Sequence, residues 1–140
     1  MTAAKYNVRV HQKHLLESIK KLERYKNMFN RKTFLSDEIA NDAVCRALGE
    51  TLEIMLTIGN MIIADNNFRK PEKNDDIFDI LAEEKVYQRS LAEKLWGAGG
   101  FRNILAHDYV DLDFNIVYDH LEKGIPIFKK YAQYTAKFIN

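Results

Sequence analysis

Cysteine is nearly missing from this 140-residue chain: Cys45 stands alone, so no internal disulfide can staple the fold. Proline and glycine are also scarce, at two and six residues. An all-β sandwich or barrel needs a turn signal every ~8 to 12 residues, and this chain cannot supply them. No uninterrupted apolar run approaches the ~20 residues of a membrane span, and none follows a basic start as in a secretory leader. The expectation is therefore a cytoplasmic protein without a membrane partner. What the chain has in quantity is helix formers, with 46% hydrophobic and 29% charged residues, close to globular averages. Its length suits one hydrophobic core. The reading is a single all-α domain over residues 1–140, an antiparallel helical bundle of four to six helices.

A net charge of only +1 conceals an uneven distribution. Residues 1–32 hold nine Lys or Arg against Glu17 and Glu23, a local charge of +7, and the rest of the chain sums to −6. From Asn7 to Phe29, Val8, Leu15, Ile19, Leu22 and Phe29 fall on one side of a helix turned ~100° per residue, with Arg9, Lys13, Lys20, Arg24 and Arg31 opposite. This basic back is either a solvated face or a set of contacts for a nucleic-acid backbone, since clustering matters more than total charge for a surface field.

Ser36 before Asp37 and Glu38 reads as an N-cap with acids in the first turn, opening a helix that runs to Ala64. Val44, Leu48, Leu52, Met55, Ile58 and Ile62 form its main stripe, and Ala43, Ala47, Ile54, Met61 and Ile63 widen it, as in a central helix. Arg46, Glu50, Glu53, Thr57 and Asn60 line one polar edge, which is a solvent strip or the wall of a cleft or subunit interface. Beyond a polar connection at 65–76, Asp75 or Asp76 caps a short helix, and another spans Tyr87 to Trp96. Gly97, Gly99 and Gly100 then interrupt the chain before a helical turn over Phe101 to Ala106. The last helix, Phe114 to Phe138, is expected to kink or break near Gly124 and Pro126.

Directly after those glycines, Arg102, His107 and Tyr109 fall within eight residues. Arginine forks a permanent charge onto phosphate oxygens, and histidine exchanges protons both ways near neutral pH. The spacing alone is loose, because Arg9 and His14 repeat it without a glycine break or a tyrosine. Residues five apart in a continuous helix lie ~140° out of line. Arg102 and His107 therefore converge only if the helix ends between them or if the partners come from two subunits. His11 and His14, three apart, have no adjacent carboxylate or cysteine to complete a metal site, so no metal ligand set is assigned.

The stretch Arg102-Asn103-Ile104-Leu105-Ala106-His107-Asp108-Tyr109 resembles the R-N-x-x-x-H-x-Y signature of HepT-like toxins, minimal members of the HEPN superfamily of ribonucleases. Total length, the all-helical plan, the long second helix and the Gly-Phe-Arg-Asn lead-in agree. The resemblance implies a homodimer whose two Arg-His pairs face one cleft and a metal-independent endoribonuclease of a toxin-antitoxin pair. It makes Arg102 and His107 catalytic, with Asn103 and Asp108 in support. It further implies an MntA-type nucleotidyltransferase antitoxin that uses ATP and Mg²⁺ to add AMP to the motif tyrosine, here Tyr109. No cofactor is implied for RNA cleavage itself.

The chemistry is consistent on its own terms. RNA carries a 2′-OH beside every scissile phosphate, so a histidine that removes its proton permits in-line attack without a metal-activated water. Arg102 would neutralise charge gathering on the phosphorane oxygens. The alternative is a noncatalytic helical module that binds a nucleotide or a nucleotidyltransferase partner. An enzyme unrelated to nucleic acid lacks any Gly-rich phosphate loop or nucleophile elbow here.

Overall fold

The computed structural model describes residues 3–107 and 112–140, and every described element is helical. In order these are α1 (Ala3–Met28), α2 (Arg31–Leu35), α3 (Glu38–Asp65), α4 (Asn74–Glu83), α5 (Arg89–Lys94), α6 (Ala98–His107) and α7 (Phe114–Ile139). The helix α3 is the axis, packed against α1, α2, α4, α6 and α7. Its direction opposes that of α1, since Ser18 and Thr51 hydroxyls meet at 2.6 Å and Lys21 faces Glu50. The helix α7 likewise opposes α1, with Gln12 on Thr135 and Lys129 on Glu23.

The apolar stripes meet as their periodicity requires. Val8, Leu15, Ile19 and Leu22 of α1 are buried, as are Val44, Leu48, Leu52, Met55, Ile58 and Ile62 of α3. Each fully buried Leu or Ile contributes roughly 1.5–3 kcal/mol, and these stripes pack with Phe34, Phe78, Leu121 and Tyr131 into one core. By length and composition α3 could cross a membrane. Its apolar residues are instead occupied by five neighbouring helices, and Arg46, Glu50 and Glu53 break the run. Among the described residues the buried polar side chains are satisfied: Tyr131 donates to the Met55 carbonyl at 2.7 Å, Tyr87 to the Phe78 carbonyl at 2.8 Å and Thr51 to the Ala47 carbonyl at 2.8 Å.

Local chemistry revises several boundaries. Asp37 rather than Ser36 caps α3, accepting from the Ala40 amide at 3.2 Å, because Ser36 closes α2 with its own N–H and hydroxyl on the Lys32 carbonyl. The short α2 escapes periodicity because a capping box between Asn30 and Thr33, not a stripe, holds its start. Lys73 occupies the cap position of α4, while Asp76 accepts from the Glu72 and Lys73 amides, bonds that hold its carboxyl below the usual range. Asp75 serves α6 instead, accepting from the Gly99 amide at 2.9 Å.

The glycines interrupt the chain less than expected. Only Gly97 turns left-handed, at φ +83°, between α5 and α6, whereas Gly99 and Gly100 lie inside α6. A Cβ on Gly99 would stand 2.9 Å from the Asn74 Cβ, so this glycine permits close approach of α4 and α6. Of the expected kink or break in α7, the break is not seen. The helix continues through Pro126, which sits on the exposed side one turn after exposed Glu122. The carbonyl that loses its donor there can be served by water.

Candidate active site

The helix α6 is placed by Leu105, which is buried against α3 with its Cβ 3.8 Å from the position of a Cβ on Gly49. Because α6 is unbroken from Ala98 to His107, Arg102 and His107 leave it on different sides. Of the two ways for them to converge, a helix end between them is excluded. Arg102 turns toward α3, where its Nε lies 2.7 Å from Glu53 Oε2. Its Nη1 also donates to Asn103 Oδ1 at 3.3 Å. His107 and Asn103, one helical turn apart, are exposed on the outward face. Asp108 and Tyr109 lie outside the described residues.

Arg102 does not stand on a flat surface. It opens onto a groove of about 500 Å³ between α1, α3 and α6, lined among others by His14, Cys45, Arg46, Glu50, Glu53 and Arg102. Three members of the polar α3 edge thus reach the site together. Arg46 and Glu50 also pair with each other, Nε to Oε1 at 3.1 Å, so an ion pair and the groove lining share this edge. Asn60 lies two turns beyond Glu53 and does not line the groove, and Thr57 spends its hydroxyl on the Glu53 carbonyl.

Sequence reasoning set aside His14, which the structure places in the groove wall. Its helix register carried no mark of this, since α1 must first dock on α3. Cys45 was likewise unassigned. Its thiol is buried, and burial with the nearby Asp42 charge pushes its pKa up to about 11, so it is a neutral wall rather than a nucleophile. Among the described residues no group of three or more His, Cys, Asp and Glu could hold a metal ion.

The basic residues of the start divide. Lys13, Lys20 and Arg24 are exposed along α1, and Arg9 donates to Asn140 Oδ1. Arg31 lies beyond α1, in α2, where it holds Asp119 and Asn115 of α7 and lies 4.7 Å from the Tyr118 ring centre. That guanidinium fastens α2 to α7.

A family model described as ribonuclease HepT-like matches residues 15–135. The chain is 28% identical over 98 residues to the mRNA nuclease HepT of Shewanella oneidensis, covering 70% of this chain and 74% of that protein. It is 32% identical over 102 residues to a candidate RNase of Archaeoglobus fulgidus, covering 73% and 76%. The solved structure of tri-AMPylated Shewanella oneidensis HEPN toxin in complex with MNT antitoxin shares the fold, with a TM-score of 0.81 at 23% identity over 98% of this chain and 99% of that one.

Proposed function

From the premise that this chain belongs to the HepT-like family, we propose that it is a metal-independent endoribonuclease toxin acting as a homodimer. The observation that carries the reading is the divergence of Arg102 and His107 on an unbroken α6. Two copies related by a two-fold axis can set Arg102 of one beside His107 of the other, which one copy cannot do for itself.

In that cleft Arg102 receives the scissile phosphate on its Nη groups while its Nε keeps the Glu53 contact. One His107 takes the proton of the 2′-OH, whose oxygen attacks phosphorus as the bond to the 5′-oxygen breaks. The second His107 protonates that leaving oxygen. The products are a 2′,3′-cyclic phosphate and a 5′-hydroxyl. Exposed Lys13, Lys20, Arg24 and Arg9 supply sequence-independent contacts to the flanking strand, and Arg46 joins them at the groove.

The antitoxin is an MntA-type nucleotidyltransferase that, with Mg²⁺, transfers AMP from ATP to the Tyr109 phenol, whose oxygen bonds the α-phosphorus as pyrophosphate leaves and the phenol proton is released. Two residues beyond His107, the added anion and nucleoside oppose RNA by charge and by volume. Support comes from the motif spacing and from the AMP-bearing toxin of like fold.

The test is cleavage of an RNA oligonucleotide in EDTA by wild type, Arg102→Ala and His107→Ala, with product ends mapped. Wild type alone should cut, leaving the cyclic phosphate, and a 2′-deoxy residue at the scissile position should block the cut. Cleavage of that substrate, or a strict need for divalent metal, would remove His107 from its role. No cleavage together with AMP transfer to Tyr109 would favour the noncatalytic partner-binding reading.

A further inference from the structure

A second pocket opens on the other side of α6, between the end of α5, the start of α6 and the middle of α7, with Leu52 of α3 in its lining. Its volume is about 240 Å³. Pockets that enclose drug-sized ligands run to roughly 300–1,000 Å³, so this one takes a single ring system. Its walls are aromatic. Phe101 and His120 stack at a centroid separation of 4.0 Å and 22° between planes, and Trp96, with 85% of its surface exposed, lines the mouth. An indole that exposed contributes little to the core.

The charges of the lining point the same way. Lys94, Lys123, Asp119 and His120 are its ionisable groups. Asp119 is held by Arg31 at 2.5 Å, which offsets its charge. Packing around the His120 ring holds its imidazole below its ordinary pKa of 6.5, so at neutral pH it both donates and accepts a hydrogen bond, as a base edge requires. Two lysines therefore flank an aromatic slot. Cations that track a backbone beside rings on which bases stack are the physical requirements of single-strand binding.

We propose that this pocket is a base-stacking subsite for one unpaired nucleotide of an RNA strand, with Trp96 and the Phe101–His120 stack taking the base and Lys94 and Lys123 its phosphates. Phe101 directly precedes Arg102, so the subsite and the phosphate-binding guanidinium share α6, and a strand lying on Arg102 can deliver a neighbouring nucleotide to the slot. The inference rests on the ribonuclease reading for the identity of the strand.

Trp96 is the only tryptophan of the chain, so its fluorescence reports the subsite without any need for cleavage. The experiment titrates the His107→Ala protein with an RNA oligonucleotide, the same oligonucleotide carrying single abasic positions, and AMP. The RNA should quench Trp96, and one abasic position should bind more weakly. By anisotropy of labelled RNA, Trp96→Ala should weaken binding roughly 5- to 150-fold. Trp96→Phe should retain most of the affinity, and Lys94→Ala and Lys123→Ala should each reduce the salt slope by about 0.7.

The proposal is overturned by RNA binding that leaves Trp96 unquenched and is insensitive to Trp96→Ala. It is equally overturned by AMP quenching as tightly as the oligonucleotide, which would mark a mononucleotide pocket. Quenching by RNA in a wild type that cuts nothing would uphold the subsite and sink the nuclease reading. Cleavage without quenching would do the reverse.

Discussion

Arg102 reaches from α6 to α3 and sets its Nε 2.7 Å from Glu53 Oε2. Both side chains keep part of their surface in water, and pairs of this kind contribute only about 0–1 kcal/mol to stability. The contact matters more for direction, because it aims the guanidinium along the groove that Glu50 and Arg46 also line. Glu53→Gln keeps an acceptor for Nε and removes a charge that repels phosphate. We expect KM to fall a few-fold with kcat retained. Glu53→Ala removes the acceptor as well, and kcat should fall on the order of 10-fold as Arg102 loses its orientation. Steady-state kinetics on a short RNA decide the matter, and equal kcat in both variants would deny Glu53 a positioning role.

If Arg102 and His107 act across a dimer, two dead proteins should rescue each other. Arg102→Ala and His107→Ala chains, mixed and re-associated, form heterodimers in which one chain supplies the arginine and the other the histidine. With random pairing about half the dimers are mixed, and each keeps one Arg102 and one His107 in its cleft. Because the second His107 is missing, activity should rise above that of either separate protein yet stay ~10²- to 10⁴-fold below wild type, the contribution of one proton-transfer group. The readout is RNA cleavage before and after unfolding and refolding the mixture. Activity no higher than the sum of the separate proteins would place both residues in one chain.

The parts of this architecture that were legible in the sequence are those set by helical period. The faces of α1 and α3 follow from Val8, Leu15, Ile19 and Leu22 and from Val44 through Ile62, since burial of a stripe repeats every ~3.6 residues. The Arg46, Glu50, Glu53 edge was visible for the same reason. Which helix closes over that edge was not, because the Arg102–Glu53 contact joins residues far apart in the chain. His14 enters the groove and Gly99 abuts Asn74 only once whole helices have docked. Pro126 is carried inside α7 without ending it, on a helix face that is open to water.

Gly59 of α3 faces Ile77 of α4 and Tyr131 of α7. A Cβ placed there would lie 2.4 Å from Ile77 Cγ2 and 3.0 Å from the Tyr131 hydroxyl, which donates to the Met55 carbonyl. Alanine gains about 1 kcal/mol over glycine in a helix interior, whereas overpacking costs typically 1–3 kcal/mol. At 2.4 Å from a buried Ile the second effect wins, and Gly59→Ala should lower Tm by several degrees. Gly100→Ala is the control. Its Cβ would meet only Asp75 Oδ2 at 3.9 Å, so propensity should prevail and Tm should rise. Thermal melts of the two variants that move in the same direction would contradict this account of the packing.

Cys45 forms part of the groove wall yet is closed to solvent, and burial, followed by the Asp42 charge, raises its pKa from 9.0 to about 11. A folded-state pKa above the unfolded value means that the folded chain keeps its proton while the unfolded chain loses it. The resulting stability is fully present below pH 9 and is lost as pH climbs through 11. Two pKa units correspond to on the order of 2 kcal/mol. Relative to Cys45→Ala, which cannot titrate there, the wild type should weaken by up to that amount between pH 9 and 11, with a constant difference below pH 9. Urea unfolding of both proteins across that range measures it. The same protonation predicts that iodoacetamide leaves Cys45 unmodified at pH 8 until the chain unfolds, because only the thiolate attacks and the thiol is enclosed. Alkylation at the rate of a free thiol, or a stability difference flat through pH 11, would mean that the groove wall opens here and that Cys45 meets whatever occupies the groove.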